Sequence, residues 1–141
     1  MTVNDKQQEI IDEFALFDDW MDKYNYLIEL SKDLSEMDPK EKTEDNLIEG
    51  CQSKVWLNAK MDGEKLVFTA DSDAIITKGL VALLLRVLSG RKPEEIKNAN
   101  LYFIDEIGLK ENLSPTRSNG LVAMINKIKA YAMAYELKKN P

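Results

Sequence analysis

The stretch from Ala74 to Leu88 constrains this chain more than any other, because it is apolar on nearly every side. Only Thr77, Lys78, Gly79 and Arg86 interrupt it. A helix that is hydrophobic all round has to be enclosed, and this one is shorter than the ~18–20 apolar residues that a bilayer span needs. The rest of the chain must supply the enclosure. With 141 residues, one domain covering 1–141 is expected, able to bury about two-thirds of its unfolded surface.

Helical spacing places Ile10, Ile11, Phe14 and Phe17 on one side of a segment from Lys6 to Phe17. Asp18 is placed to cap a second helix carrying Trp20, Tyr24, Leu27, Ile28 and Leu34. A charged connector from Glu36 to Asp45 follows, then a short candidate strand at Asn46–Glu49 and a tight turn at Gly50–Ser53. Val55, Leu57 and Ala59 alternate with polar or larger neighbours as in a strand. Asp62-Gly63 signals a hairpin, and Lys65–Ala70 returns. Asp71-Ser72-Asp73 reads as a cap-rich start to the apolar helix, and Gly90 fits its end. Short helical turns are expected over Pro93–Lys97 and Leu101–Ile107. Ser114-Pro115 opens a last helix reaching Lys139 and carrying Leu121, Met124, Ile125, Ile128, Tyr131 and Tyr135. The expected architecture is α+β: about three antiparallel strands packed against helices in two layers.

Two counts narrow the chemistry. There is one cysteine, Cys51, and no histidine. An internal disulfide is impossible. The usual zinc sites, a four-thiolate cluster, a Cys–His nucleophile pair and a His general acid all lack their ligands or bases. No signal peptide is visible in Met1–Ile10, so a cytoplasmic location is expected. Residues 1–50 carry a net −10 and residues 51–141 a net +4, giving −6 overall. That balance, with scattered basic residues, argues against nucleic acid. The acidic half is either the solvated face of amphipathic helices or a surface that steers a basic partner.

Cys51 lies between Gly50 and Gln52 in the predicted turn. Lone cysteines are commonly small buried hydrophobes, but a loop on a rigid scaffold is also where a thiol is presented. Without a histidine base, about 3% of an ordinary thiol is thiolate at pH 7. That suffices for exchange with an activated sulfur and is poor for attack on an amide. The turn follows Leu47-Ile48 and precedes Val55-Trp56-Leu57, so the thiol is expected to rest against apolar side chains, with Gly50 as the hinge that exposes it.

The segment Gly50-Cys51-Gln52-Ser53-Lys54-Val55-Trp56-Leu57 resembles the cysteine loop of the SufE-type sulfur acceptors of iron–sulfur cluster assembly. Two further segments resemble that family in the same order, Asp71-Ser72-Asp73-Ala74-Ile75-Ile76-Thr77-Lys78-Gly79-Leu80 and Leu113-Ser114-Pro115-Thr116-Arg117-Ser118-Asn119-Gly120-Leu121. So does the run Trp20…Tyr24…Tyr26-Leu27-Ile28-Glu29-Leu30. The resemblance implies a fold similar to the IscU-type scaffold and a defined role. Cys51 would accept sulfur from the persulfide of a PLP-dependent cysteine desulfurase, stimulate that enzyme, and pass the sulfur to an iron–sulfur scaffold complex. The PLP would belong to the partner, leaving this chain with no cofactor, no metal and no membrane contact. It would be a non-autonomous carrier without hydrolytic or redox activity of its own.

Supporting roles are open at several residues. Asp71 and Asp73 either cap the apolar helix or, in Asp73's case, set how tightly the cysteine loop is held. Lys78 either snorkels to solvent or touches a partner. Arg117, a cation near a helix N-terminus, is better explained by a carboxylate or a partner. Gly79 and Gly120 are read as permitting close packing. An iron–sulfur scaffold is the alternative function, disfavoured because one Cys and no His supply too few ligands. A binding module without the activity is a third.

Overall fold

The computed structural model describes residues 1–139; Asn140 and Pro141, included in the one-domain reading, lie outside the described residues. The apolar run forms α3 (Ile75–Leu88). Packed against it are α1 (Val3–Phe14), α2 (Trp20–Leu30), α7 (Pro115–Lys139) and one strand of a hairpin, β1 (Val55–Asp62) with β2 (Lys65–Ser72). Leu80, Val81, Leu83, Leu84, Val87 and Leu88 of α3 are at most 1% exposed. Burial of each is worth roughly 1.5–3 kcal/mol, which makes α3 the axis of the core. Three short helices, α4 (Pro93–Asn98), α5 (Phe103–Glu106) and α6 (Leu109–Asn112), connect α3 to α7. Among the described residues no helix is long and apolar enough to cross a membrane.

The fold is α+β, with a two-stranded antiparallel sheet against helices. Its register runs from Val55 opposite Ser72 to Asp62 opposite Lys65. Gly63 enters the two-residue turn at φ +63°, a conformation that glycine adopts at no steric cost. Val55, Leu57 and Ala59 face the core with Leu66, Phe68 and Ala70, as the alternation requires.

The expected third strand is reduced to one bridge. Glu44–Asn46 forms a 3-10 turn, and only Leu47 pairs with β1, opposite Trp56. The reason lies on the free edge of β1. The Val55 carbonyl accepts from Ile48 N at 2.9 Å, but the next two outward carbonyls are already occupied. Leu57 O accepts from the Tyr131 hydroxyl at 3.4 Å and Ala59 O from the Tyr135 hydroxyl at 3.1 Å. The outer edge of β2 is closed in a similar way, Leu66 N donating to Arg91 O at 2.8 Å and Phe68 N to Ser89 Oγ at 2.9 Å. Side chains and the Arg91 main chain thus cover edges that would otherwise invite strand pairing.

Element boundaries shift where caps decide them. The first helix begins at Val3 because Thr2 and Asp5 form a capping box, and the second is capped by Asp19 rather than Asp18. It ends at Leu30, with a 3-10 turn over Ser31–Asp33, so Leu34 lies beyond it. The charged connector is not simply solvated. Met37 is 2% exposed, and the Glu41 carboxylate accepts from Asn58 Nδ2 at 2.9 Å, Thr69 Oγ1 at 3.1 Å and Lys60 Nζ at 3.3 Å. These bonds lay the connector over the polar face of the hairpin.

A charged cluster ties α1 to α2 and α3. Arg86 donates to both carboxylate oxygens of Glu13 and, at 2.8 Å, to Glu9; the Tyr26 hydroxyl also donates to Glu13. Hydrogen bonding from Arg86 holds the Glu13 carboxyl below its ordinary range despite partial burial, while burial and Glu13 push Tyr26 up to about 12. A carboxyl whose folded value is depressed contributes its full stability above the unfolded value, ~4.3, and loses it as pH falls through the folded one. Glu13→Gln is therefore expected to cost about 1–2 kcal/mol at neutral pH. Melting curves of variant and parent between about pH 2 and pH 7 should converge in acid; a constant gap would remove Glu13 ionisation from the account.

Candidate functional site

The Cys51 loop runs from Gly50, at φ +91°, to the start of β1 at Val55. A side chain at position 50 would be strained in that conformation, and its Cβ would also stand 3.3 Å from Ala123 Cβ on α7. The loop's other end is pinned. Lys54 N donates to Asp73 Oδ1 at 3.0 Å, Asp73 N to Lys54 O at 3.2 Å, and the Ser72 hydroxyl to Lys54 O at 2.8 Å. Asp73 therefore does not cap α3, whose N-cap residue, Ala74, has no side-chain bond. Ser72 Oγ does accept from Ala74 N, at 3.2 Å. Asp73 is instead bonded to the Lys54 end of the loop.

Asp71 is not a cap either, because β2 continues through it to Ser72. Its carboxylate receives Lys42 at 2.6 Å and Lys78 at 3.3 Å. Burial would raise the Asp71 carboxyl, but Lys42, the Ser72 amide and Lys78 outweigh it and hold it below its ordinary range. Lys78 is thus an ion-pair partner rather than a snorkelling side chain. Lys42 also lies 5.6 Å from the Trp56 ring centroid, so the pair fastens the connector to the strand that leaves the cysteine loop.

The Cys51 thiol is half-buried. It donates to the Gly120 carbonyl on α7, with Sγ 3.6 Å from the oxygen. Burial pushes its pKa up, since the interior disfavours the thiolate. Beside it opens a cavity of about 380 Å³ formed by three elements. Gln52 and Ser53 come from the loop, Thr77 and Leu80 from α3, and Arg117, Gly120 and Met124 from α7. A larger cavity of about 450 Å³, between β2 and α3, is lined mainly by aliphatic side chains and holds no thiol.

Arg117 sits in the first turn of α7, where Ser114 Oγ accepts from its backbone N at 3.3 Å. Of the two accounts expected for it, a carboxylate or a partner protein, the first is corrected within the chain, where a phenol takes the carboxylate's place. Its Nη1 donates to the Tyr24 hydroxyl at 2.8 Å, and the guanidinium carbon lies 5.7 Å from the Tyr24 ring centroid. The structure brings Cys51, Gln52 and Arg117 to one cavity, with Gly50 adjoining at positive φ and Asp73 bonded to the far end of the loop. Asp71 and Lys78 support the strand behind it. Sequence reading passed over Thr77, Tyr24 and the Gly120 carbonyl as parts of this site. Thr77 and Tyr24 lie within apolar helical patterns, and a backbone carbonyl carries no signal in residue type.

Asp73→Ala removes the acceptor for Lys54 N at an exposed position, a loss of about 1 kcal/mol. The loop is then expected to open about fivefold more often, and alkylation of Cys51 to accelerate by that factor with little change in Tm. An unchanged alkylation rate would mean that Asp73 does not govern loop opening.

Comparison with known proteins adds independent findings. The family model described as SufE, Fe-S metabolism associated domain, matches residues 8–132. An uncharacterised SufE-like protein of Rhizobium meliloti is 44% identical over 129 residues, covering 88% of this chain and 92% of that protein. A SufE-like protein of Arabidopsis thaliana described as chloroplastic/mitochondrial is 41% identical over 134 residues, covering 94% of this chain and 36% of that longer one. The solution structure of a hypothetical protein from Thermus thermophilus superposes with a TM-score of 0.75 at 22% identity, over 92% of this chain and 94% of that one. That last likeness concerns the fold alone.

Proposed function

Because this chain belongs to the SufE family, and so has a sulfur-transfer role in Fe-S metabolism, we propose that Cys51 is the atom-carrying residue. It takes sulfane sulfur from the persulfide of a PLP-dependent cysteine desulfurase, stimulates that enzyme by removing its product, and delivers the sulfur to an iron–sulfur assembly scaffold. The observation that carries this reading is the setting of Cys51. The chain's one cysteine lies half-buried on a loop that Asp73 bonds at its far end, at the wall of a cavity with room for an incoming sulfur.

The step is a thiol exchange. The Cys51 thiolate attacks the terminal sulfur of the desulfurase persulfide, a new S–S bond forms on Cys51, and the old S–S bond breaks. The electron pair leaves on the desulfurase cysteine as thiolate. One anionic sulfur is consumed and one formed, so neither oxidant nor proton donor is required, and the absence of histidine is no obstacle. A carrier with a single thiol also has no second cysteine to resolve the persulfide into an internal disulfide. PLP is the partner's, and this chain works without a cofactor.

Incubation with a cysteine desulfurase and cysteine, followed by intact-mass measurement, tests the proposal. The expected product is heavier by one sulfur atom, and reductant returns it to the starting mass. Uptake of iron with inorganic sulfide in place of that single sulfur would favour a scaffold instead.

A further inference from the structure

Arg117 is held in a way that its own helix does not explain. A cation in the first turn of a helix is opposed by the helix dipole, and an exposed arginine left free would keep its rotamer entropy. Yet it is tethered from another helix, 93 residues away in the chain, through the Tyr24 hydroxyl at 2.8 Å and the Tyr24 ring. Tyr24 is itself half-buried, its ring packed on the core, so it offers a fixed point. The choice of a phenol matters. A carboxylate would anchor the guanidinium and neutralise it, whereas a hydroxyl anchors it and leaves the charge available.

That charge lines the Cys51 cavity. α3 contributes Thr77 and Leu80, the loop Gln52 and Ser53, and α7 Thr116 beside Arg117, with Ser114 just ahead of that helix. Among the described residues lining the cavity, Arg117 is therefore the one with a charge. Burial and the Gly120 carbonyl both disfavour an anion on the sulfur, while exchange chemistry needs one.

We infer that Tyr24 is a positioning residue, fixing the Arg117 guanidinium at the rim of the cavity with its charge intact so that it stabilises anionic sulfur on Cys51. The inference rests on the sulfur-acceptor reading of Cys51.

The test is Tyr24→Phe, which keeps the ring and removes the hydroxyl. Two quantities are read: the pH dependence of Cys51 alkylation by iodoacetamide, and sulfur uptake from a cysteine desulfurase. The alkylation midpoint is expected to rise by about 0.5–1 pH unit and sulfur uptake to fall about three- to tenfold, with Tm nearly unchanged. Arg117→Ala should raise the midpoint as well, and adding Tyr24→Phe to it should change nothing further. An unmoved midpoint in Tyr24→Phe, or an equal additional shift in the Arg117→Ala background, would overturn the inference. Should the parent protein take up no sulfur, the acceptor reading falls, and the alkylation midpoints still decide what Tyr24 does.

Discussion

Replacing Cys51 with serine is expected to reduce sulfur uptake from a desulfurase to background while leaving the fold in place. The hydroxyl is smaller than the thiol and keeps a donor for the Gly120 carbonyl, which the thiol reaches at 3.6 Å. The side chain is only half-buried, so the stability change should stay below about 1 kcal/mol. The chemistry has no such tolerance. A thiol with a raised pKa still supplies some thiolate near neutral pH, whereas a serine hydroxyl supplies essentially no alkoxide without a strong base beside it. The cavity offers hydroxyls, an amide and a guanidinium, none of which is that base. Intact mass after incubation with desulfurase and cysteine, beside a melting curve, checks both halves. A Cys51→Ser protein that still gains sulfur would show that the acceptor lies elsewhere.

The largest structural effect is expected at Gly79. A Cβ there would overlap the Leu27 carbonyl oxygen and stand 3.0 Å from the carbonyl carbon, because α2 crosses α3 at this point with backbone against backbone. Alanine would gain up to ~1 kcal/mol of helix propensity, but the obstacle is main chain and has no rotamer in which to move aside. Separating the two helices should cost about 2–3 kcal/mol net, which for a chain of this size lowers Tm by roughly 5–10 °C. Gly120 is the instructive contrast. A Cβ at position 120 would meet only the Cys51 sulfur, at 3.6 Å, an ordinary contact. Gly120→Ala should therefore melt close to the parent and slow the alkylation of Cys51 by covering it. A Gly79→Ala protein as stable as the parent would contradict the crossing geometry.

Gly79 was legible as a place of close approach, though not what approaches it, whereas Gly120, read in the same way, leaves room for a Cβ at an ordinary 3.6 Å from the Cys51 sulfur. The hairpin and α3 could be read because their signals are local: alternation on either side of Asp62-Gly63, and an apolar run that no helix face exhausts. The cysteine loop could be read from its residue order. Misreadings cluster where a residue's partner is distant or belongs to another kind of element. Asp71-Ser72-Asp73 has the composition of a cap, yet the strand runs on to Ser72 and the two acids serve Lys42, Lys78 and the Lys54 amide. Asn46–Glu49 reads as a strand, but its pairing stops at Leu47, because the next carbonyl in register, Leu57 O, is taken by the Tyr131 hydroxyl. Arg117 announces a mismatch with its helix, but nothing near it in the chain names Tyr24 as the remedy.

The Gly120 carbonyl that holds the Cys51 thiol makes retention depend on a proton. An oxygen with its lone pairs turned toward the sulfur attracts S–H and repels S⁻, and partial burial discriminates in the same direction. The resting pocket is thus a selective catch. The closed loop favours the sulfur in its inert protonated form, and ionisation is what loosens the fastening on that side. Ionisation of the sulfur therefore trades one wall of the cavity for another: the Gly120 carbonyl favours the thiol, and the guanidinium of Arg117 favours the anion that exchange requires.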